Sequence, residues 1–286
     1  MPPVRLPSLL FVALVFGCGG STDADGPAGG GTGGGGTGGG GTGGVVGGGG
    51  TGGSSGGSGG GAGAGACAGF VAKASPAEIA KTPRANESAE VLAIETSGAF
   101  VAPDALYERI VSELPAIESA EPLVAGMTPF SFAKSNSLIL GFDSAGYAAY
   151  KAGTYADWKC PNEAYGMTQV SDVGSLAYVT LEFGDKRYNT LLLAKEYVGL
   201  PHVTSADPNS MLGDGPDVCL EIQGDTHFYI YDKAGGDCPA GCTEHMYYGF
   251  EVAAGAAVKK LGSFDPALPT PAPAWFEKLK ECQKRL

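Results

Sequence analysis

Histidine and positive charge are scarce in this chain, and the scarcity limits the functions open to it. The chain has three histidines among 286 residues, and its 18 lysines and arginines face 30 aspartates and glutamates, for a formal net charge of −12. A chain this acidic is repelled by phosphate backbones. We therefore expect no nucleic acid partner. It also has no H-E-x-x-H motif, no P-loop and no serine in a strand–turn–helix context. The sequence therefore predicts no catalytic residue and no cofactor, and favours a non-enzymatic protein.

Charged and bulky side chains are also rare in a long glycine-rich segment. Residues 18–66 supply most of the 49 glycines of the chain. Such a segment buries too little apolar surface to offset the entropy of ordering its backbone, so we expect a flexible tether. A random coil of about 48 residues has an end-to-end distance of roughly 35–40 Å.

The chain begins with an apolar run that is too short to cross a bilayer. The run covers residues 9–16 after a single positive charge at Arg5, whereas a spanning helix needs about 20 apolar residues. This pattern is typical of an export signal. It ends in VFGC, which resembles the lipobox of bacterial lipoproteins. The resemblance implies a signal peptide over 1–17, lipidation of Cys18 and export to a bacterial membrane, and Gly19 favours the outer membrane or cell surface.

Six cysteines remain once Cys18 is given to lipid, and an even number in an exported chain points to disulfide bonds. Six cysteines allow 15 pairings, and the sequence alone does not choose among them. Position in the chain favours joining the two cysteines that bracket the domain, because domain termini often lie close together. The favoured set is Cys67–Cys282, Cys160–Cys219 and Cys238–Cys242.

Residues 67–136 form an N-terminal α/β segment in this interpretation. An apolar run predicts a strand near Glu90–Thr96, and Pro103 with Asp104 opens a helix with one apolar face. Pro115 lies inside that pattern and predicts an end or a kink.

Residues 137–286 alternate strand and helix patterns in the order β-α-β-β-α-β, the split β-α-β or ferredoxin-like arrangement. The segment YNTLLLAKEYVGLPHVTSADPN resembles the closing unit of subtilisin-type propeptides, most specifically over Leu200–Asn209. Asp207 stands where those propeptides usually carry glutamate, and no subtilisin-type catalytic domain follows. The resemblance implies a stand-alone inhibitor or folding assistant. We expect an α+β fold with this ferredoxin-like core, an added antiparallel, aromatic-rich β-hairpin region and a C-terminal helix.

Two aromatic-rich strand patterns flank the segment GDCPAGC. The combination resembles a tail found on uncharacterised exported proteins of environmental bacteria, which implies export and a shared fold but no chemistry. Strand alternation turns half of these aromatics toward the core. The other half are candidates for an exposed binding face. The candidate binding residues are Tyr229, Tyr231, Tyr247 and Tyr248.

The stretch DCPAGCTEHM has four interpretations, of which the last is a pair of structural thiols that form no bridge. A disulfide staple is favoured, because the proline and glycine between Cys238 and Cys242 suit a tight turn. A metal site would use both cysteines and His245, a donor set that suits copper, but the nearest further histidine, His227, is expected over about 10 Å from His245 along a hairpin. A redox couple is the third interpretation, although the common dithiol motif is C-x-x-C ahead of a helix.

The loop 207–217 is a weaker candidate for a cation site. It carries Asp207, Asn209, Asp214 and Asp217, but a calcium ion takes six or more oxygen ligands and the spacing fits no EF-hand. Turn-forming residues between strands explain the same composition, so the sequence leaves calcium binding open.

The leading hypothesis from the sequence is a lipid-anchored, surface-displayed, non-enzymatic domain that binds an extracellular protein or a glycan. One alternative is the propeptide-like protease inhibitor or folding assistant. Another is an exported copper-binding, other metal-binding or enzymatic protein that uses the C-x3-C-x2-H stretch.

Overall fold

A computed structural model describes residues 67, 69–130, 136–174, 176–209, 215–238 and 241–277. The chain divides into units 1–58 and 59–286, and the described residues all belong to the second. The predicted signal peptide, Cys18 and the tether lie outside the described residues. So does most of the predicted C-terminal helix, although residues 274–277 are helical. No helix of the described part is long and apolar enough to cross a membrane.

The described residues form a mixed α+β fold with two four-stranded antiparallel sheets. The helices are α1 Pro76–Ile79, α2 Glu87–Ser97, α3 Asp104–Ala120, α4 Ser144–Lys151, α5 Lys159–Tyr165 and α6 Thr190–Val198. The strands of the first sheet are β1 Ser137–Phe142, β2 Gln169–Asp172, β3 Tyr178–Glu182 and β4 Val203–Pro208. Those of the second are β5 Asp217–Gln223, β6 Thr226–Gly235, β7 Glu244–Ala253 and β8 Lys259–Phe264.

The first sheet has the strand order β2-β3-β1-β4, with every neighbouring pair antiparallel. The connection from β1 to β2 contains α4 and α5 and skips one strand, and the connection from β3 to β4 contains α6 and also skips one. The inner face packs on the helices through side chains that alternate along the strands, as period-two strand geometry requires. Leu138, Leu140, Val179 and Leu181 are buried there together with Tyr165 of α5 and Tyr197 of α6.

The second sheet is a meander in the order β5-β6-β7-β8. One of its faces packs on α2 and α3 and forms the larger core. The other face is covered by the chain after β8, where Phe276 and Trp275 pack on Tyr247, Ile230 and Gly249. The fourth strand, β8, was not predicted from the sequence.

The strand predicted near Glu90–Thr96 is wrong, because these residues lie in α2. Asn86 caps the helix through its side-chain oxygen, which accepts the Ala89 N–H, and Gly98 ends it with φ of 63°. Every residue from Ala89 to Ile94 is buried. A helix buried on all sides has no polar face, so its sequence lacks the 3.6-residue period and resembles a strand.

The predicted helix from Pro103 is present, but it does not end at Pro115. Pro103 is the N-terminal cap and the helix continues to Ala120. Pro115 is exposed, so its ring faces solvent and the helix loses one backbone hydrogen bond without a clash in the core. Beside the expected apolar residues, the buried face includes Tyr107 and Glu113.

The segment 67–136 does not have a core of its own. Its helices α2 and α3 supply one layer of the second sheet's core, whereas Ala74 and Phe100 pack into the core of the first sheet. The sequence patterns change at residue 137, as expected, but the hydrophobic cores are shared by residues on both sides of this boundary.

Candidate functional site

The structure joins Cys67 to Cys160, so the predicted pairs Cys67–Cys282 and Cys160–Cys219 are wrong. The reason is that α5, which carries Cys160, packs against the first residues of the domain through hydrogen-bond and ring contacts. Cys219 is disulfide-bonded as well. Cys282 lies outside the described residues.

The predicted bridge Cys238–Cys242 is confirmed, with 3.8 Å between the two Cα atoms. His245 stands beside it. Its Nδ1 lies 3.0 Å from an Asp232 carboxylate oxygen and its Nε2 lies 3.0 Å from the Cys242 carbonyl oxygen. The ring also stacks on Tyr247, with 5.9 Å between centroids and 5° between planes. With the sulfurs joined and both ring nitrogens engaged, this is not a metal-binding arrangement.

No group of three or more histidine, cysteine, aspartate or glutamate side chains within the described ranges could hold a metal ion. His227 is remote from the cysteine loop. In the β6–β7 register it pairs with Val252, whereas His245 pairs with Ala234. Seven residues of strand separate the two histidines, about 24 Å at roughly 3.4 Å per residue. This agrees with the predicted separation of more than about 10 Å.

The four tyrosines expected to form an exposed binding face are buried, so that prediction is wrong. The exposed fractions are 0% for Tyr229, 1% for Tyr231, 8% for Tyr247 and 7% for Tyr248. Alternation does place Tyr247 on the opposite face from the others, but each face of the second sheet has its own cover. Neither half of the aromatic residues is therefore left to solvent.

The acidic loop between the two sheets is described only in part. Asp214 lies outside the described residues. Asp217 begins β5, and its carboxylate accepts the main-chain N–H groups of Phe130 at 2.6 Å and Val218 at 2.7 Å. The bond from Phe130, 87 residues earlier in the chain, ties the start of β5 to the segment that precedes β1.

A cluster of ionisable side chains is buried between α3 and β6. Glu113 accepts a hydrogen bond from the Tyr229 hydroxyl at 2.6 Å and from Arg109 Nε at 2.7 Å, and His227 Nδ1 lies 2.6 Å from the same carboxylate. Arg109 also donates to two main-chain carbonyls of the second sheet. Burial alone would raise the pKa of Glu113, but the hydrogen bonds from His227, Tyr229 and Arg109 outweigh it and lower that pKa.

This cluster is a structural tie rather than a reactive site. Burial, together with the bond to Glu113, raises the pKa of Tyr229 far above its usual range. Glu113 and His227 are both buried, and they contact each other through the carboxylate and the ring nitrogen Nδ1. The sequence offered one signal for it, a glutamate on the apolar face of α3 between Ile110 and Leu114.

The outer face of the first sheet turns away from the helices and is largely open to solvent. Apart from Ser137 and Gly141, its side chains are exposed or half-buried. By strand alternation and register, it consists of Gln169, Ser171, Tyr178, Thr180, Glu182, Ser137, Ile139, Gly141, Ser205 and Asp207. Burial raises the pKa of Glu182, so this carboxylate already lies partly out of water.

Gly141 lets an aromatic ring lie across the outer face. A Cβ atom built at this glycine would stand 2.9 Å from Tyr178 Cε1 and 2.6 Å from Ser205 Oγ. The Tyr178 ring therefore crosses β1 toward β4 where any other residue would displace it. Tyr178 is 37% exposed, and no other aromatic side chain of the described residues stands among the exposed large apolar ones.

Two aliphatic side chains adjoin Tyr178 on the β2–β3 hairpin. Val173 is 43% exposed and Leu176 is 62% exposed. Single exposed apolar residues are ordinary on protein surfaces, but contiguous ones mark interaction sites. Val173, Leu176 and Tyr178 lie within one six-residue stretch, and we call these three exposed side chains the hairpin patch.

Asp172 fastens this hairpin to α4. Its carboxylate accepts hydrogen bonds from Lys151 Nζ at 2.7 Å, from the Tyr147 hydroxyl at 2.9 Å and from Gly174 N–H at 2.8 Å. The bond from Lys151 contributes most to a lowered pKa of Asp172. Polar contacts of Asp172 thus tie the base of the hairpin to α4.

No protein-family model, no curated protein and no solved structure matches the chain, so its function has to be argued from the residues of these surfaces.

Proposed function

We propose that the chain is an exported, lipid-anchored, non-enzymatic domain that binds another protein through the hairpin patch and the outer face of the first sheet. The observation that carries the proposal is the exposure of Leu176 and Tyr178 on a hairpin fastened by Asp172. The proposal keeps the binding domain expected from the sequence and moves its surface away from the buried tyrosines of the second sheet.

The shape and composition of the surface favour a protein over a glycan. Sites for small ligands are concave, with converging polar groups, whereas a sheet face with an apolar edge is broad and open. Protein interfaces are enriched in tyrosine and depleted of lysine at their centre. The outer face carries Glu182 and Asp207 and no lysine or arginine, so the best complement is a neutral or basic protein surface.

The polar contacts behind the hairpin favour binding in a second way. A loop that must be ordered on association costs binding free energy for each side chain that is immobilised. Asp172, Lys151 and Tyr147 already hold the hairpin, so less of that cost remains when a partner docks.

The test compares two matched double variants in the full chain. Leu176→Ala/Tyr178→Ala removes the centre of the hairpin patch. Leu191→Ala/Val198→Ala removes two side chains of similar exposure, 52% and 47%, from α6. Proteins captured from surface extracts by the parent are identified, and their affinities for the three forms are measured. We expect roughly 30-fold weaker binding for the first variant, as for loss of an interface hot spot, and parental binding for the second.

A partner that binds the parent and the Leu176→Ala/Tyr178→Ala variant equally well would contradict this proposal.

A second candidate is the stand-alone propeptide-like inhibitor or folding assistant. Two observations support it: the resemblance over Leu200–Asn209, and the two helical connections that each skip a strand, as in the split β-α-β arrangement. Inhibition would be measured with a panel of purified subtilisin-type proteases and the same two double variants. Full protease activity across the panel at micromolar concentrations of the domain would remove this candidate.

Membrane attachment through Cys18 is the remaining part of the proposal. Several acyl chains on one cysteine hold a protein on a membrane where one chain would be marginal. We expect Cys18→Ser to abolish lipidation and leave the protein uncleaved or released, whereas Ser21→Ala in the same segment has no effect. Membrane fractionation and intact mass report both. If Cys18→Ser fractionates with membranes at the parental mass, the anchor is absent.

A further inference from the structure

His245 lies between two hydrogen-bond acceptors. A carboxylate and a main-chain carbonyl can only accept hydrogen bonds. Asp232 lies at one ring nitrogen and the Cys242 carbonyl lies at the other, each at 3.0 Å. Both contacts are hydrogen bonds only when both nitrogens carry protons, that is, when the ring is an imidazolium. As an imidazolium, the ring places its positive charge beside the main chain of Cys242.

The described contacts of the ring include groups from two strands. Asp232 comes from β6, and Tyr247 stacks on the ring from β7. Lys233 and Glu244 precede or follow these positions by one residue, so strand alternation turns them to the other face. The Asp232 carboxylate is thus the charged side chain that stabilises the imidazolium among the described residues of these strands.

We propose that Cys238–Cys242 is an exchangeable disulfide that is reduced and re-formed by dithiols, with His245 as a positioning residue that stabilises the Cys242 thiolate. Cations beside a cysteine favour its thiolate form, and a more stable thiolate leaves faster in thiol–disulfide exchange. Both cysteines are half-buried rather than enclosed, so a small thiol can approach them.

The exchange proceeds in two balanced steps. A thiolate of the dithiol attacks the sulfur of Cys238, the S–S bond to Cys242 breaks, and Cys242 leaves as a thiolate beside His245. The second thiol of the same molecule, after losing its proton, then displaces Cys238 from the mixed disulfide. In sum the protein disulfide takes up two electrons and two protons, and the dithiol becomes a cyclic or intramolecular disulfide. The reverse steps re-form the bridge.

The fold tolerates this reaction at one bridge and not at another. Cys238 and Cys242 are four residues apart, so their bridge closes a very short loop in the unfolded chain. Cys67 and Cys160 are 93 residues apart. Chain entropy makes the long bridge far more important to the folded state than the short one. Cys238–Cys242 can therefore open and close while the domain stays folded.

The test uses the oxidised full chain and dithiothreitol as the dithiol. Samples are quenched with an alkylating reagent over time, and mass spectrometry follows the peptides of each bridge while circular dichroism follows the fold. We expect Cys238–Cys242 to be reduced at least tenfold faster than Cys67–Cys160, with no loss of structure. Equal rates at the two bridges, or reduction only on unfolding, would overturn the proposal.

The role of His245 is tested by the pH dependence of Cys242 alkylation in the reduced protein. We expect His245→Asn to raise the midpoint by about one pH unit, equal to about tenfold less thiolate below it, and His245→Lys to keep the parental midpoint. The control is His202→Asn, because His202 has a carboxylate partner, Asp143, at the same 3.0 Å but lies in the other sheet's half of the fold. If His245→Asn does not fold, His245→Gln replaces it. An unchanged midpoint in the folded variant would show that His245 only packs.

Discussion

At the scale of single residues, what covers a strand decides the role of its side chains. Tyr178 and Tyr229 both lie in strands with regular alternation, yet one is 37% exposed and the other fully buried. The face of Tyr229 packs on α3, whereas the face of Tyr178 has Gly141 and short polar side chains beside it. Alternation in the sequence predicts which side chains share a face of the sheet. It does not predict which face other elements will cover.

The buried carboxylate of Glu113 supports a prediction about stability. Glu113→Gln keeps the shape of the side chain but removes the charge that Arg109 and His227 face. Breaking a buried pair on one side leaves the partners without compensation, so we expect a loss of about 3 kcal/mol in the free energy of unfolding at pH 7. Denaturant unfolding measures it. Glu108→Gln on the exposed side of the same helix is the control and should change little.

The pH dependence of the same variant has a definite sign. The pKa of Glu113 is lower in the folded protein than its usual value, so its contribution is present above the unfolded pKa of about 4.3 and is lost as pH falls through the folded value. The difference between parent and Glu113→Gln should therefore shrink below about pH 4.3. A constant difference from pH 7 to pH 3 would contradict this account.

At the scale of elements, the sequence predicted the four strands of the first sheet and the helices α4 and α6, but it missed α5. It also failed where burial or glycine hid the pattern. The strands β1 to β4 each have an alternating or apolar signature with a helix or turn signal beside it. The helix α2 is buried all round, so it has no polar face to reveal its period. The strand β8 contains two lysines and Gly262, and it depends on pairing with β7, which a local pattern does not encode.

The helix α3 supports a second prediction, because Pro115 lies in its interior and is exposed. Pro115→Ala restores one backbone hydrogen bond and removes a steric conflict. The intrinsic gain of about 3 kcal/mol in a helix is reduced by the greater freedom of the unfolded chain, so we expect about 2 kcal/mol of added stability. Thermal unfolding measures it, with Ser119→Ala as the control. A lower melting temperature would mean that Pro115 shapes the helix usefully.

At the scale of the whole molecule, the sequence could not show that different parts of the segment 67–136 pack into different cores. The helices α2 and α3 precede the first sheet in the chain but cover the second. The disulfide pairs failed for the same reason, since they depend on which elements meet in space. Only the Cys238–Cys242 bridge, with both partners in one turn, followed from local chemistry.

The bridges give the third prediction. Cys67→Ser/Cys160→Ser opens a loop of 93 residues, whereas Cys238→Ser/Cys242→Ser opens one of four. By loop-closure entropy the first variant should lose about 4.6 kcal/mol and the second about 2 kcal/mol. The first loss corresponds to a melting temperature lower by about 10 °C for a domain of this size. Similar melting temperatures for the two variants would contradict the entropic account.

The third disulfide bridge gives a further prediction. Cys219 is disulfide-bonded, and the partners left to it are Cys18 and Cys282. Because we expect Cys18 to carry lipid, we predict Cys219–Cys282. Mass spectrometry of a non-reduced digest identifies the linked peptides, and a Cys219 peptide joined to Cys18 would rule out the lipid anchor at the same time.

The Cys67–Cys160 bridge also sets how the domain bears mechanical load. Tension carried by the chain before Cys67 enters the fold at that residue and passes through a covalent bond to α5. From there the Asn162 side chain, which accepts the Tyr197 hydroxyl at 2.8 Å, leads it into the helices behind the first sheet. The helices α2 and α3 lie off this path, so a pull does not peel them from the second sheet. Load from a partner on the outer face would thus reach the chain before Cys67 through these helices and this disulfide.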